Sequence, residues 1–313
     1  MSAAEQGRQA VKNQAWLDVG HLDGRVTGRS AKGGLFTMLA YGYEFGTRTA
    51  AMLILARILD PREIGLVGIV LLVSSFFMMF ADVGLTAATI QAPSLTQAQA
   101  SNLFWINSLL GIGLALLACL VSPLVSWFFG EPEVVPMLCL SALGFVACGL
   151  SFQHRALLQR QMRFERFGII NMVAVTAGLG AAIALAMAGW GAYALVWQNI
   201  IIYVVGVVLS WIVCNWRPGL PDRTCSVLPM VRFGGAVFGS NILNVLARQL
   251  DKMIVGGRWG AGALGLYQYG FRVSTLPGTM AFEPLGKVAI PALSRLSGSP
   301  PEYAKYYLKM VEI

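Results

Sequence analysis

Eight long apolar runs separated by short polar breaks constrain this chain more than any other feature: 34–57, 64–89, 103–128, 134–153, 168–189, 192–214, 233–256 and 264–292. Crossing the hydrocarbon of a bilayer takes about 20 mostly apolar residues in a helix. Lipid offers the backbone no hydrogen-bond partners, so a spanning segment must satisfy its own N–H and C=O groups, which leaves helices or closed barrels. Runs of this length are helical, and the expected fold is all-α and polytopic, with about eight transmembrane helices. Of 313 residues, 56% are hydrophobic and 12% charged, against about a quarter charged in soluble domains. The runs 64–89 and 264–292 exceed a plain span and are expected to tilt or kink, the latter at Pro277 and Pro284.

Residues 1–33 form a polar tail without the short apolar core and small-residue cleavage site of a signal peptide. Lys and Arg outside the spans fall on alternate sides very unevenly. With the tail inside, fifteen are cytoplasmic: Arg8, Lys12, Arg25, Arg29 and Lys32, then Arg155, Arg160, Arg163 and Arg166, then Arg217, Arg223 and Arg232, and finally Arg295, Lys305 and Lys309. Only Arg57, Arg62 and Arg258 lie opposite. The positive-inside bias therefore puts the N-terminus in the cytoplasm. It also explains the net charge of +8 without nucleic acid, which would need the basic residues clustered on one soluble domain.

The five cysteines, Cys119, Cys139, Cys148, Cys214 and Cys225, form no C-x-x-C pair, and four lie inside apolar runs, so packing is expected rather than a metal site. With only His21 and His154, no phosphate-binding G-x-x-x-x-G-K-[ST] loop and no G-x-S-x-G elbow, no catalytic residue, metal or cofactor is expected.

Shifting the chain by 200 residues places Gly34 on Gly234, Arg48 on Arg248, Ile54 on Ile254, Gly65 on Gly265, Leu66 on Leu266, Val73 on Val273 and Ser74 on Ser274. Six spans separate the paired elements, an even number, so the copies share an orientation and an axis along the membrane normal should relate them. The expected organisation is a cytoplasmic tail (1–33), a six-helix lobe (34–214), a cytoplasmic linker (215–232) and the start of a second lobe (233–313). The second copy reaches only about two spans before Ile313, so a C-terminally truncated chain is expected.

Two stretches carry a family resemblance: LARILDPREIGLVGIVLLVSSFFMMFADVGLTAATIQ, from Leu55 to Gln91, and ALLQRQMRFERFGII, from Ala156 to Ile170. Together they resemble the polysaccharide flippases, the oligosaccharidyl-lipid branch of the superfamily that also holds multidrug and peptidoglycan-precursor exporters. Colanic-acid-type exporters are the most similar. The resemblance implies two helical lobes around a cavity that opens alternately to each side. It implies a lipid-linked oligosaccharide, built on undecaprenyl pyrophosphate, as cargo for surface polysaccharide or lipopolysaccharide biosynthesis. Implied partners are that cargo, membrane lipids and other polysaccharide-assembly membrane proteins, and no enzymatic activity is implied.

Arg48 lies roughly nine residues inside the end of the first run, hence about 13 Å below the surface, where a charge is costly unless paired or hydrated. Arg248 repeats the placement. In a lipid-pyrophosphate carrier such arginines would grip the anionic headgroup from both lobes. The alternative is local pairing, with Glu44 four residues before Arg48 and Asp251 three after Arg248. Lys252 then leaves these five residues at a net +1. Arg272 is a further candidate for the cavity wall, as are Glu283 and Lys287 near its mouth. Asp82 is a candidate for ion exchange or, more simply, for capping. Arg155 to Phe167 has the spacing of a basic helix lying on an anionic leaflet, which topological retention of its arginines explains equally well, and the tryptophans near span ends suit interfacial anchors.

Three other functions compete. A multidrug or ion antiporter should show acidic pockets, whereas basic groups outnumber acids in these spans. A membrane glycosyltransferase or polymerase needs a long loop with catalytic acids, which is missing here. A nonfunctional truncated remnant is consistent with the early stop.

Overall fold

The computed structural model describes residues 13, 14, 16, 17, 26–82, 84–92, 94–222, 227, 228, 230–232, 235, 239, 249–271 and 273–275. Their regular structure is helical, without strands. In chain order the helices are α1 (Val26–Leu55), α2 (Pro61–Asp82), α3 (Leu85–Gln91), α4 (Gln97–Phe129), α5 (Val134–Ser141), α6 (Leu143–Arg160), α7 (Phe164–Met187) and α8 (Ala192–Val213). Residues 249–271 are helical as well, interrupted by a φ of 78° at Gly260.

Among the described residues, five helical stretches are long and apolar enough to cross a membrane: Pro61–Gln91, Gln97–Phe129, Val134–Arg160, Phe164–Met187 and Ala192–Val213. These are the second to sixth apolar runs, and the chain is a multi-pass membrane protein. α1 has the length, 30 residues, but carries Arg29, Lys32, Glu44 and Arg48 and is not among the five. Much of the seventh run and most of the eighth lie outside the described residues.

The long second run is kinked rather than straight. α2 and α3 meet at Gly84, whose φ of 72° is open to glycine and disfavoured for residues with a Cβ. Oδ1 of Asp82 accepts the Thr86 N–H at 2.9 Å and the Thr86 hydroxyl at 2.7 Å, so this carboxylate caps the first turn of α3. α4 has 33 residues and is about 50 Å long. Its start is a capping box, in which the Gln99 N–H donates to Thr96 Oγ1 at 3.2 Å and the Thr96 N–H to Gln99 Oε1 at 3.0 Å. Thr96→Ala should therefore lower stability by about 1 kcal/mol, visible as a small fall in the thermal midpoint of the purified protein. An unchanged midpoint would mean that solvent serves that turn equally well.

Contacts between loops sort them into two ends. At one end Arg62, in the first turn of α2, pairs with Glu131 at 2.7 Å and Glu133 at 3.2 Å, between α4 and α5, while Glu63 lies against Gly191 before α8. At the other, the Asn13 side chain donates to the Arg217 carbonyl and accepts its N–H, each at 3.0 Å, and Gln161 Nε2 donates to the Trp16 carbonyl at 2.8 Å. There too Trp216 Nε1 donates to Gln97 Oε1 at 2.7 Å, and Asn102 bonds both backbone groups of Asp222. These are the hairpin end and the tail end. Part of the tail is integral to the fold, because Trp16 and Leu17 are buried in a core with Phe104, Leu157, Leu158 and Trp216.

The hairpin end has its own core, in which Leu66, Ile69, Val134, Leu138, Val196 and Leu264 are buried together. Here the helical residues 261–265 cross the first turn of α2 backbone to backbone. A Cβ on Gly65 would stand 1.7 Å from the Ala261 carbonyl oxygen, and one on Gly265 would stand 2.2 Å from the Pro61 oxygen and 3.1 Å from the Gly65 nitrogen. The two glycines that coincide at a shift of 200 residues thus meet directly. The apolar side chains of Leu109, Leu116, Leu120, Leu124 and Trp127 on α4 remain exposed at helical spacing, as a lipid-facing stripe.

The chain divides into two compact units, Met1–Gly265 and Leu266–Ile313. In the second, the Tyr267 and Phe271 rings stack at 6.0 Å, and the Ser274 and Thr275 hydroxyls donate to the Phe271 carbonyl.

Candidate functional site

Glu44 and Arg48 stand one turn apart on α1, the order that favours an ion pair on a helix. Nη2 and Nε of Arg48 both donate to Glu44 Oε1, at 3.0 and 3.1 Å. The local-pairing alternative is therefore realised for Arg48, yet its side chain is 42% exposed and that of Glu44 22%. An approaching group could still reach the guanidinium.

A second arginine joins them. Arg155, on α6, donates through Nη2 to Asn171 Oδ1 on α7 and lies 5.0 Å over the Phe167 ring. Its Nη1 also comes within 3.7 Å of the position that a Cβ on Gly206 of α8 would take, one turn from Tyr203. The Tyr43 hydroxyl shares a 2.8 Å hydrogen bond with Thr176, tying α1 to α7 beside this group. Four helices thus converge on two guanidiniums and one carboxylate. Beside Tyr203, between α2, α5, α6 and α8, lies a cavity of about 30 Å³ that Ser74 and Asn199 also line. Its size suits water, not a sugar.

The expectation of a basic helix on the leaflet between Arg155 and Phe167 is corrected. Arg155 to Arg160 complete α6 and α7 starts at Phe164, while Leu157 and Leu158 are fully buried. Three of the four arginines turn inward to find partners that lipid cannot supply. Arg155 bonds Asn171, Arg160 donates to the carbonyls of Thr89, Ile90 and Ala92, and Arg163 lies 4.1 Å over the Trp16 ring. Only Arg166 is exposed. Two tryptophans are corrected likewise: His154 stacks on Trp211 at 4.4 Å and meets Trp216 edge-on, so these rings pack the interior of the tail end. Trp127, Trp190 and Trp259 are exposed as expected of anchors.

Of the other candidates, Lys252 donates to Gln249 Oε1 at 3.1 Å, and Gln249 in turn donates to Ser75 on α2 at 2.9 Å. Asp251 is half-buried on the same helical stretch. Arg248 and Arg272 lie outside the described residues. Among the described residues no cluster of three His, Cys, Asp or Glu could hold a metal. Sequence reasoning missed Arg155, Asn171 and Tyr203. Asn171 was the available signal, an amide within an apolar run that needs a polar partner on a neighbouring helix.

The sequence profile described as polysaccharide biosynthesis protein matches residues 54–313. The chain is 25% identical to the lipopolysaccharide biosynthesis protein WzxC of Escherichia coli K12, over 91% of this chain and 58% of that protein. It is 27% identical to the teichuronic acid biosynthesis protein TuaB of Bacillus subtilis 168, over 70% of this chain and 46% of that one. With the succinoglycan biosynthesis transport protein ExoT of Rhizobium meliloti 1021 it shares 26% identity, over 83% of this chain and 53% of the relative. The chain thus spans about half the length of the curated relatives it matches. No solved structure matches it.

Proposed function

The chain belongs to the polysaccharide biosynthesis protein family, and on that premise we propose that it is part of a flippase for undecaprenyl-pyrophosphate-linked oligosaccharide. Cargo moves from the cytoplasmic to the periplasmic face of a bacterial inner membrane, for surface polysaccharide assembly. The observation that carries the reading is a family match over most of the chain, shared with relatives named for polysaccharide biosynthesis and transport. Charges held among the helices, chiefly Arg48 and Arg155, support it because an anionic headgroup crossing the membrane needs buried cations along its way.

In this reading the N-terminus and the tail end are cytoplasmic, as the positive-inside bias argues, and the hairpin end is periplasmic. The six-helix lobe of residues 34–214 is joined through 215–232 to a second lobe that starts at 233. Arg48, Arg248, Lys252 and Arg272 supply positive charge to the cargo path, with Glu44 and Asp251 modulating it. The chain acts as a carrier and not as an enzyme, alongside other membrane proteins of polysaccharide assembly.

Complementation tests this. The full-length gene, as wild type and as Arg48→Ala and Arg248→Ala, is expressed in a strain lacking its polysaccharide flippase, and surface polysaccharide is measured alongside protein abundance. Wild type should restore export and each variant should reduce it severalfold at unchanged abundance. Absence of rescue by an abundant wild-type protein would overturn the flippase reading, whereas normal export by both variants would reduce these arginines to structural pairs.

A further inference from the structure

We infer that Glu44 is an internal counter-anion which the pyrophosphate of the cargo displaces, and that Arg155 is the second guanidinium of this headgroup site. The inference rests on the flippase reading and adds a residue and a role to it. Glu44 bonds Arg48 directly, and the Tyr43–Thr176 hydrogen bond holds the same turn of α1 against α7, where Asn171 anchors Arg155. Among the described residues no carboxylate lies within 4.0 Å of Arg155, whose hydrogen bond goes to the neutral amide of Asn171. Two guanidiniums against one carboxylate leave one positive charge uncompensated between helices, a costly state in a membrane that a bound anion relieves.

The geometry also points to the approach. Arg48 and Tyr41 are accessible, while Arg155 is anchored by Asn171 and Phe167. A pyrophosphate diester has several acceptor oxygens and two negative charges with which to engage both guanidiniums. Glu44 bonds only Arg48 of the two. As the anion takes Arg48, Glu44 gives up its two bonds. The carboxylate then repels the cargo and lowers the affinity, so that the site binds without trapping. A monophosphate, with fewer oxygens, should compete with Glu44 less well.

The test is binding to the purified full-length protein in nanodiscs, with polyprenyl pyrophosphate as probe. Parallel arms use polyprenyl monophosphate, inorganic pyrophosphate and phosphatidylglycerol. Wild type should prefer the pyrophosphate lipid. Glu44→Gln should tighten its binding by about three- to tenfold and narrow the preference over monophosphate, because a competing anion is removed. Arg155→Gln should weaken it by about tenfold or more, and Arg155→Lys should recover part of that. Tightening by Glu44→Gln keeps the test decisive even where Arg155→Gln fails to fold. Unchanged or weaker binding by Glu44→Gln, or equal affinity for all anions, overturns the displacement model while leaving the flippase reading intact. Wild-type protein that binds none of the probes overturns both.

Discussion

Leucine at Gly65 is expected to lower stability by about 3 kcal/mol or more. A Cβ there would stand 1.7 Å from the Ala261 carbonyl oxygen and 2.4 Å from its carbon. Those are backbone atoms of a packed helix and cannot swing aside as a flexible side chain would. Relief requires residues 261–265 to lift off α2, which would open the core that Leu66, Ile69 and Leu264 share at the hairpin end. Gly65→Ala should already show most of the effect. Gly42→Ala and Gly46→Ala are the controls, since a Cβ at either meets nothing within 4 Å. Each should be neutral or stabilising, by up to about 1 kcal/mol through helix propensity. Thermal midpoints of the four variants in detergent check the series. A Gly65→Ala midpoint equal to that of the controls would show that the two segments do not touch in solution.

This contact shows what the sequence made legible. A shift of 200 residues paired Gly65 with Gly265, and the structure brings the two together. Small side chains explain the closeness, because glycine on both partners lets helix backbones close up. The second to sixth spans were legible for a simpler reason: lipid demands long apolar helices, and hydropathy reports them directly.

The interior polar contacts were not legible. Counting Lys and Arg outside the spans treats each as solvated, so Arg155, Arg160 and Arg163 all read as leaflet-facing charge. Their partners come from residues remote in sequence. Asn171 lies on the next helix, the α3 carbonyls lie about seventy residues back, and Trp16 belongs to a tail that looked like a polar appendage. Hydropathy has no term for pairing between helices. Nor did it resolve Glu44 and Arg48, where spacing left the ion pair and the free charge equally open until the side chains were placed.

Arg160 provides the second large effect. Its Nη1 donates to the carbonyls of Thr89 at 3.0 Å, Ile90 at 3.3 Å and Ala92 at 2.6 Å, serving the last turn of α3. Helix ends leave such carbonyls without intrahelical partners, and here Thr89 and Arg160 are both buried. Arg160→Met keeps the apolar stem but strips the donor, and hydrogen bonds from a charged group contribute about 1.5–3 kcal/mol each. Three bonds from one nitrogen do not add, so a loss of about 3 kcal/mol is expected. All three come from one nitrogen, while Nε and Nη2 have no hydrogen-bond partner among the described residues. The site therefore calls for a point donor rather than a planar fork. Arg160→Lys, whose ammonium carries three donors, should recover more than half of the loss despite its shorter reach. Thermal midpoints of the two variants decide the matter. Met and Lys variants that fall equally would show that the guanidinium matters for its shape, and a Met variant as stable as wild type would show that water already reaches these carbonyls.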